Sequence, residues 1–189
     1  AHRRTSVTAE QQLARAEMLT EIAYQCTGRR GDKVSLQRWV LAAYLDDICQ
    51  IANQRLLAMS SGRYTLAVHR DRAKGSAKSG LDLRVRDAHS GEEREVQSLS
   101  GGETFQASLA LALAVAESVQ QHAGGVHLDT LFIDEGFGTL DPDSLDLAMD
   151  ELDKLRAGGR MVGIISHVGA LRERIRVGIE VTPSTHGST

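Results

Sequence analysis

Two carboxylates, Asp134 and Glu135, stand side by side at the end of "LFIDE". The four residues before them, Thr130 to Ile133, fit a buried strand. That puts both acids at a strand's carboxyl end, where open α/β sheets gather their ligands. Adjacent acids there can divide the work: one holds a magnesium ion through water, and its neighbour orients or deprotonates an attacking water. The same pair can also do no more than cap the next turn. Ser100, Gly101 and Gly102 lie in "SLSGGE", and Ser100 is 34 residues upstream of Asp134. Behind that polar loop runs a stretch of strong helix formers. Glycines let a backbone approach an anion closely, a hydroxyl donates to it, and a helix N-terminus adds partial positive charge. Downstream, "GTLDPDS" sets Asp141 before Pro142, and "GIISH" ends a second apolar run on His167. Asp141 taken alone reads as an N-cap. His167 at a strand end can donate to a phosphate oxygen, although a single histidine is more commonly a surface or packing residue.

The elements that must hold these residues follow from periodicity. Apolar residues at three- and four-residue spacing predict a helix from about Thr8, with Thr8 as N-cap, to Gln25, and "TGRRGDK" breaks it. A second helix is expected from the N-cap Ser35 to about Met59. The period then falls to two in "RYTLAVHR" and "LDLRVRDA", which read as half-buried strands joined by a loop carrying Arg72, Lys74 and Lys78. After a turn in "HSGEERE" comes a helix over about Gly102 to His122. The strand of "HLDTLFIDE" and a helix with Pro142 in its first turn and Gly158–Gly159 at its end come next. Then follow a short buried strand in "RMVGIISH", a short helix near Gly169 to Arg174, an edge strand near Arg176 to Val181, and a loose tail. Strands alternating with helices after residue 126 predict a parallel sheet flanked by helices, an α/β fold.

Composition narrows the function. The chain has 189 residues, 41% of them hydrophobic and 25% charged, which suits one globular domain or a lobe with an appendage. A formal net charge of −3 gives no overall pull toward nucleic acid, so any such contact needs a local patch. No run is long and apolar enough to span a bilayer, and no signal or transit pattern is visible. Cys26 and Cys49 are far apart without a C-x-x-C pair, so a reduced cytoplasmic setting is expected. The chain starts "AHRRTSVTAEQQ" without Met, which reads as part of something longer. It also lacks any G-x-x-x-x-G-K-[ST] loop, and indeed any Gly-Lys pair. An anion loop is present without the usual phosphate grip.

In order and spacing these residues form one constellation. "LSGGE" resembles the signature motif of the ATP-binding-cassette ATPases, "LFIDE" their Walker B strand, "GTLD" their D-loop and "SH" their switch histidine. Transporter cassettes read D-E-P-T-S-x-L-D, whereas "DEGFGTLD" is similar to the SbcC-type DNA-repair ATPases and to their structural-maintenance-of-chromosomes (SMC) and RecN relatives. The helix "SLQRWVLAAYLDDICQIANQRLLAMSSGRYTL" and "SHVGALRERI" are similar to the same family, and the resemblance covers about residues 34 to 182.

The resemblance implies the C-terminal half of an ABC/SMC-type ATPase head: a parallel sheet with flanking helices, a small β-hairpin, and an N-terminal helix leading to a coiled coil. On that pattern residues 1–33 are the root of the returning coiled coil and a linker, 34–182 the lobe, and 183–189 a flexible tail. Walker A and the Q-loop belong to a separate N-terminal lobe. ATP and Mg2+ are the implied cofactors. Glu135 and His167 are the implied catalytic residues, and Asp134 the magnesium ligand, through water. Ser100, Gly101, Gly102, Glu103 and Asp141 would reach ATP held by a second head. The anion loop is then for the partner's nucleotide. Implied partners are the N-terminal lobe, a second SbcC-like head, an SbcD-type nuclease and double-stranded DNA, with no membrane and a cytoplasmic, nucleoid-associated setting. Lys74 and Lys78 either touch DNA backbone or belong to a solvated loop. Two other functions fit the same residues, a RecN-like chromosome ATPase and a non-catalytic dimerisation or docking lobe; Glu135 in place argues against the second.

Overall fold

The computed structural model describes residues 2–29, 34–70, 81–122, 128–181, 183–184 and 187–188. The expected DNA contacts Lys74 and Lys78 lie outside them. The chain divides into two compact units: Ala1–Gln54 with Arg63–Ser98, and Arg55–Gly62 with Leu99–Thr189.

The first unit holds helix α1 (His2–Cys26), helix α2 (Leu36–Met59) up to Gln54, and three antiparallel strands, β1 (Tyr64–Arg70), β2 (Leu81–Asp87) and β3 (Glu93–Glu95) in that order. α1 begins at His2, ahead of the expected cap at Thr8. Alternation sets the register of the first strand pair, with Leu66 opposite Val85 and both buried. The side-chain amide of Asn53 donates to the Leu66 carbonyl at 2.9 Å and its oxygen accepts the Leu66 N–H at 2.7 Å. Strand β3 falls where only a turn is expected. Its residues "ERE" carry no apolar alternation, and charge takes over that role: Arg86 pairs with Glu93 at 2.9 Å and Arg84 with Glu95 at 3.6 Å across the ladder. Burial, with Asp46 nearby, pushes the Cys49 thiol up to about 11.

The second unit builds the site. Helix α3 (Gly101–His122) buries Gln106, Ala107, Leu109, Ala110, Leu113, Ala114 and Ser118, an inward stripe at helical spacing. Gln106, buried among them, donates to the Met59 carbonyl at 2.8 Å and so satisfies its amide. Strand β4 (Thr130–Asp134), a single 3-10 turn (Phe137–Thr139), helix α4 (Pro142–Ala157) and strand β5 (Met161–Ile165) form a βαβ unit, with β4 and β5 parallel and Asp134 opposite Ile165. Helix α5 (Gly169–Arg174) follows, and its Arg174 ties back to Asp146 at 2.6 Å and to Asp150 on α4. β6 (Pro183–Ser184) and β7 (Gly187–Ser188) pair as a minimal antiparallel ladder.

Two expectations change here. Residues 176–181 are not a strand. Val177, Ile179 and Val181 alternate correctly, but all three are exposed, and among the described residues no neighbour offers a ladder. Nor is β5 a buried strand. Its ends Met161 and Ile165 are 62% and 56% exposed, and Phe132 on β4 is 71% exposed. Phe132 lies across Gly163, where an added Cβ would come 2.6 Å from the ring.

Asp87 anchors the turn of the first unit. It is buried, receives Arg63 Nη2 at 2.9 Å and the His89 N–H at 2.9 Å, and has Arg94 at 3.5 Å. Those bonds, Arg63's first, hold its carboxyl down at about 2. Ionised Asp87 therefore stabilises the folded state fully above the ordinary carboxylate value of about 3.9, and that stabilisation drains away as pH falls toward about 2. Urea midpoints of wild type and Asp87→Asn should thus differ most at neutral pH and converge across this acid window. A constant gap would show that the charge of Asp87 is not what matters.

Candidate active site

The loop before α3 closes on itself. Ser100 N–H donates to Glu103 Oε2 at 2.9 Å, and Glu103 N–H donates to Ser100 Oγ at 3.4 Å. This is a capping box, the S-x-x-E pattern, with each end of the first turn satisfying the other. It is legible in "SGGE", although the family resemblance directs both side chains to nucleotide instead. The box uses Ser100 Oγ as an acceptor and leaves its hydroxyl proton for another group. Ser100 and Gly101 are exposed. As first-turn residues, Gly101 and Gly102 have N–H groups with no intrahelical carbonyl to reach.

β4 delivers the carboxylates. Asp134 is its last residue and is exposed at the carboxyl end of the strand. Glu135 turns sharply, with φ +59, and Gly136 follows at φ +93. A non-glycine residue in the left-handed region costs of order 1–3 kcal/mol and persists only where its surroundings impose it. Here Glu135 N–H donates to the Ile165 carbonyl of β5 at 2.9 Å, extending the parallel ladder one step. The turn brings the Glu135 carboxylate to His167, whose Nδ1 is 2.9 Å from Oε2. With its proton on Nδ1, His167 donates to Glu135. Its Nε2 lies beside Gly138, 3.7 Å from where a Cβ would stand.

The 3-10 turn joins the two halves of the site. Thr139 donates its hydroxyl to the Gly136 carbonyl at 2.8 Å, and Phe137 is buried beneath. A Cβ on Gly102 would meet the Thr139 carbonyl oxygen at 2.8 Å, so only glycine fits that place. Asp141 caps α4, accepting Ser144 N–H at 2.9 Å and Ser144 Oγ at 2.7 Å. Those two bonds hold its carboxyl below the usual range. Gly101 and Gly102 therefore abut Thr139, Glu135 meets His167, and Asp141 sits two residues past Thr139 at the head of α4. Sequence reasoning does not find Phe105 or Thr139. Phe105 meets Gly136, and Thr139 meets Gly101 and Gly102, only through folding, so nothing in their spacing marks them.

Asp134, exposed at the strand end, offers one carboxylate to a cation. The described residues contain no group of three or more potential metal ligands. A single carboxylate is the kind of ligand used by magnesium, which keeps several waters and binds through one or two carboxylates plus substrate phosphates.

Residues 64–154 match the family model described as SbcC/RAD50-like, Walker B motif. The chain is 54% identical over 171 residues to the SbcC component of the nuclease SbcCD of Vibrio cholerae, covering 90% of this chain and 17% of that protein. It is 48% identical over 179 residues to the protein of the same name in Staphylococcus haemolyticus, covering 95% of this chain and 18% of that one. The chain thus spans about a sixth of the length of these relatives. Its fold is similar to an SMC ATPase solved in work on ATP-driven dimerisation and DNA-stimulated activation, with TM-score 0.58, 17% identity, and 79% and 85% of the two chains covered. It is likewise similar to the Smc head domain with a coiled coil and joint from Pyrococcus yayanosii, with TM-score 0.61, 18% identity, and 98% and 32% covered. The chain resembles the C-terminal ATPase lobe of SbcC-type DNA-repair proteins, on an SMC-head fold.

The two glycines of the loop should respond differently to alanine. At Gly101 a Cβ would meet Thr139 side-chain carbons at 3.5 Å, an ordinary contact, whereas at Gly102 it meets a backbone oxygen. Gly102→Ala should cost about 1–3 kcal/mol by overpacking, while Gly101→Ala stays near wild type in a urea titration. Equal effects would mean that the loop does not pack on Thr139 as described.

Proposed function

We propose that this chain is the C-terminal lobe of an SbcC-like ATPase head, working with an N-terminal lobe and an SbcD-type nuclease in ATP-driven processing of DNA double-strand ends. The observation that carries the catalytic reading is the Glu135–His167 pair at 2.9 Å, set at the carboxyl end of a parallel strand. A carboxylate fixed by a histidine at a strand edge suits a general base acting on water. In this reading Glu135 takes the proton of the attacking water, and His167, donating from Nδ1, holds the Glu135 carboxylate in place. Asp134 would hold Mg2+ through water; the ion, when bound, neutralises charge on the phosphate oxygens.

The lobe reading rests on the sheet. Parallel sheets are covered on both faces in folded domains. Here β4 and β5 leave Phe132, Met161 and Ile165 exposed, and the chain has no G-x-x-x-x-G-K-[ST] loop. An N-terminal lobe carrying Walker A supplies both missing parts. The Ser100–Glu103 loop then caps nucleotide held by a second head. Gly101 and Gly102 N–H groups and the Ser100 hydroxyl point at its γ-phosphate, each charge-assisted bond contributing about 1.5–3 kcal/mol. Asp141 reaches across that interface. α1 forms the coiled-coil root, and Lys74 and Lys78 offer contacts to DNA phosphates.

Mixing this chain with its N-terminal half tests the reading through ATP turnover and ATP-dependent dimerisation. Wild type should turn over. Glu135→Gln should lose about 10²–10⁴-fold in rate while accumulating an engaged dimer. Asp134→Asn should raise the magnesium concentration needed, and Ser100→Arg should block engagement without unfolding the chain. No nucleotide response in wild type would leave the chain a docking lobe.

A further inference from the structure

We propose that Phe105 is a positioning residue for Glu135, through which the phosphate-facing loop and the general base are held as one rigid piece. The inference rests on the reading of Glu135 as base.

Two consecutive residues, Glu135 and Gly136, occupy the left-handed region. Glu135 is fixed upstream by its N–H bond to the Ile165 carbonyl. Downstream, the Gly136 carbonyl receives both the hydroxyl and the N–H of Thr139, at 2.8 and 3.3 Å. Between these two anchors the Phe105 ring presses on the backbone at Gly136. A Cβ there would overlap Cδ2 and Cε2 of Phe105, so the ring fills the place of a side chain. The ring in turn stands edge-on to Phe137, with centroids 4.8 Å apart and planes at 62°, and Phe137 is buried. Phe105 is thus backed by the core and pressed against the peptide that follows Glu135.

The same face of α3 makes the second contact. Gly102 lies one turn before Phe105, on the side that meets the Thr139 carbonyl. Gly102 and Phe105 together grip the turn at both ends, residues 136 and 139. A shift of the first turn of α3 is therefore passed on to the backbone carrying Glu135. Without the ring, Gly136 can leave the left-handed region, and Glu135 can relax to an extended backbone that swings its carboxylate away from His167. Misplacing a reacting group by about 1 Å can cost about 10²-fold in rate.

The test uses the head reassembled from this chain and its N-terminal half. Phe105→Ala should lower kcat by about 10²-fold with KM for ATP and ATP-dependent dimerisation nearly unchanged. Phe105→Tyr, which keeps the ring, should restore turnover. On the Glu135→Gln background, Phe105→Ala should add no further loss. Losses that multiply, or a change in KM alone, would overturn the proposal. If wild type itself shows no turnover, the ATPase reading fails, and NMR of the 189-residue chain still decides the structural claim. Phe105→Ala should shift the Glu135 backbone coupling and chemical shifts out of the left-handed range. Their persistence would show that Phe105 does not hold the turn.

Discussion

The contact between the first turn of α3 and the turn after β4 is the constraint on which the site depends. Backbone meets backbone there, since Gly102 leaves no room for a side chain before the Thr139 carbonyl. Close approach of this kind needs glycine and tolerates little movement. It decides where Ser100 and Glu103 stand relative to Glu135, although 32 residues separate Glu103 from Glu135 in the chain. The buried stripe of α3 fixes the helix in the core, and the turn fixes the carboxylate to that helix. The geometry of the site thus follows from hydrophobic burial several residues away from any reacting group.

A second constraint works at the edge of β4 and β5. Each strand of a parallel pair needs cover on both faces, and Phe132 turned across Gly163 gives only part of it. Aromatic cover of a strand glycine protects backbone that would otherwise meet water. It leaves most of the Phe132 ring exposed, as it does Met161 and Ile165. The apolar residues after α5 stand equally open at Val177, Ile179 and Val181. A sequence that places so many β-branched and aromatic residues in solvent is consistent with a sheet completed by another lobe.

Much of this architecture is legible in the sequence. Helices α2 to α5 and the strands β1, β2, β4 and β5 follow from period, caps and breakers, because each local choice agrees with the fold. β3 is not legible: its register is set by ion pairs to Arg84 and Arg86, and charge alternation in "ERE" looks the same in a turn. The region 176–181 errs the other way, since alternation there is real and the partner strand is what is lacking. In the site, the acids, the glycines and the histidine announce themselves by type and order. The bonds between them do not. Whether His167 meets Glu135 depends on the parallel register of β4 and β5, which only the fold supplies.

In the proposed reading Glu103 serves both stability and recognition. Its carboxylate sits on Ser100 N–H at the positive end of α3, where negative charge is favoured. Before any phosphate arrives, the helix end already has an anion, and the loop is held in shape by a bond within itself. In the proposed reading an incoming phosphate would find the Gly101 and Gly102 N–H groups and the Ser100 hydroxyl proton still to be used, because the box engages only the Ser100 N–H and the Ser100 oxygen. The loop therefore need not be ordered by its ligand, and the conformational cost of binding is lowered in advance. The same carboxylate repels a second negative charge brought too near. Engagement, as proposed, would then be finely balanced: favourable when the phosphate reaches the glycines and the hydroxyl together, and unfavourable for an anion that meets Glu103 alone. A cap built this way would favour a phosphate presented in one orientation, as the proposed second head would present it, over phosphate free in solution.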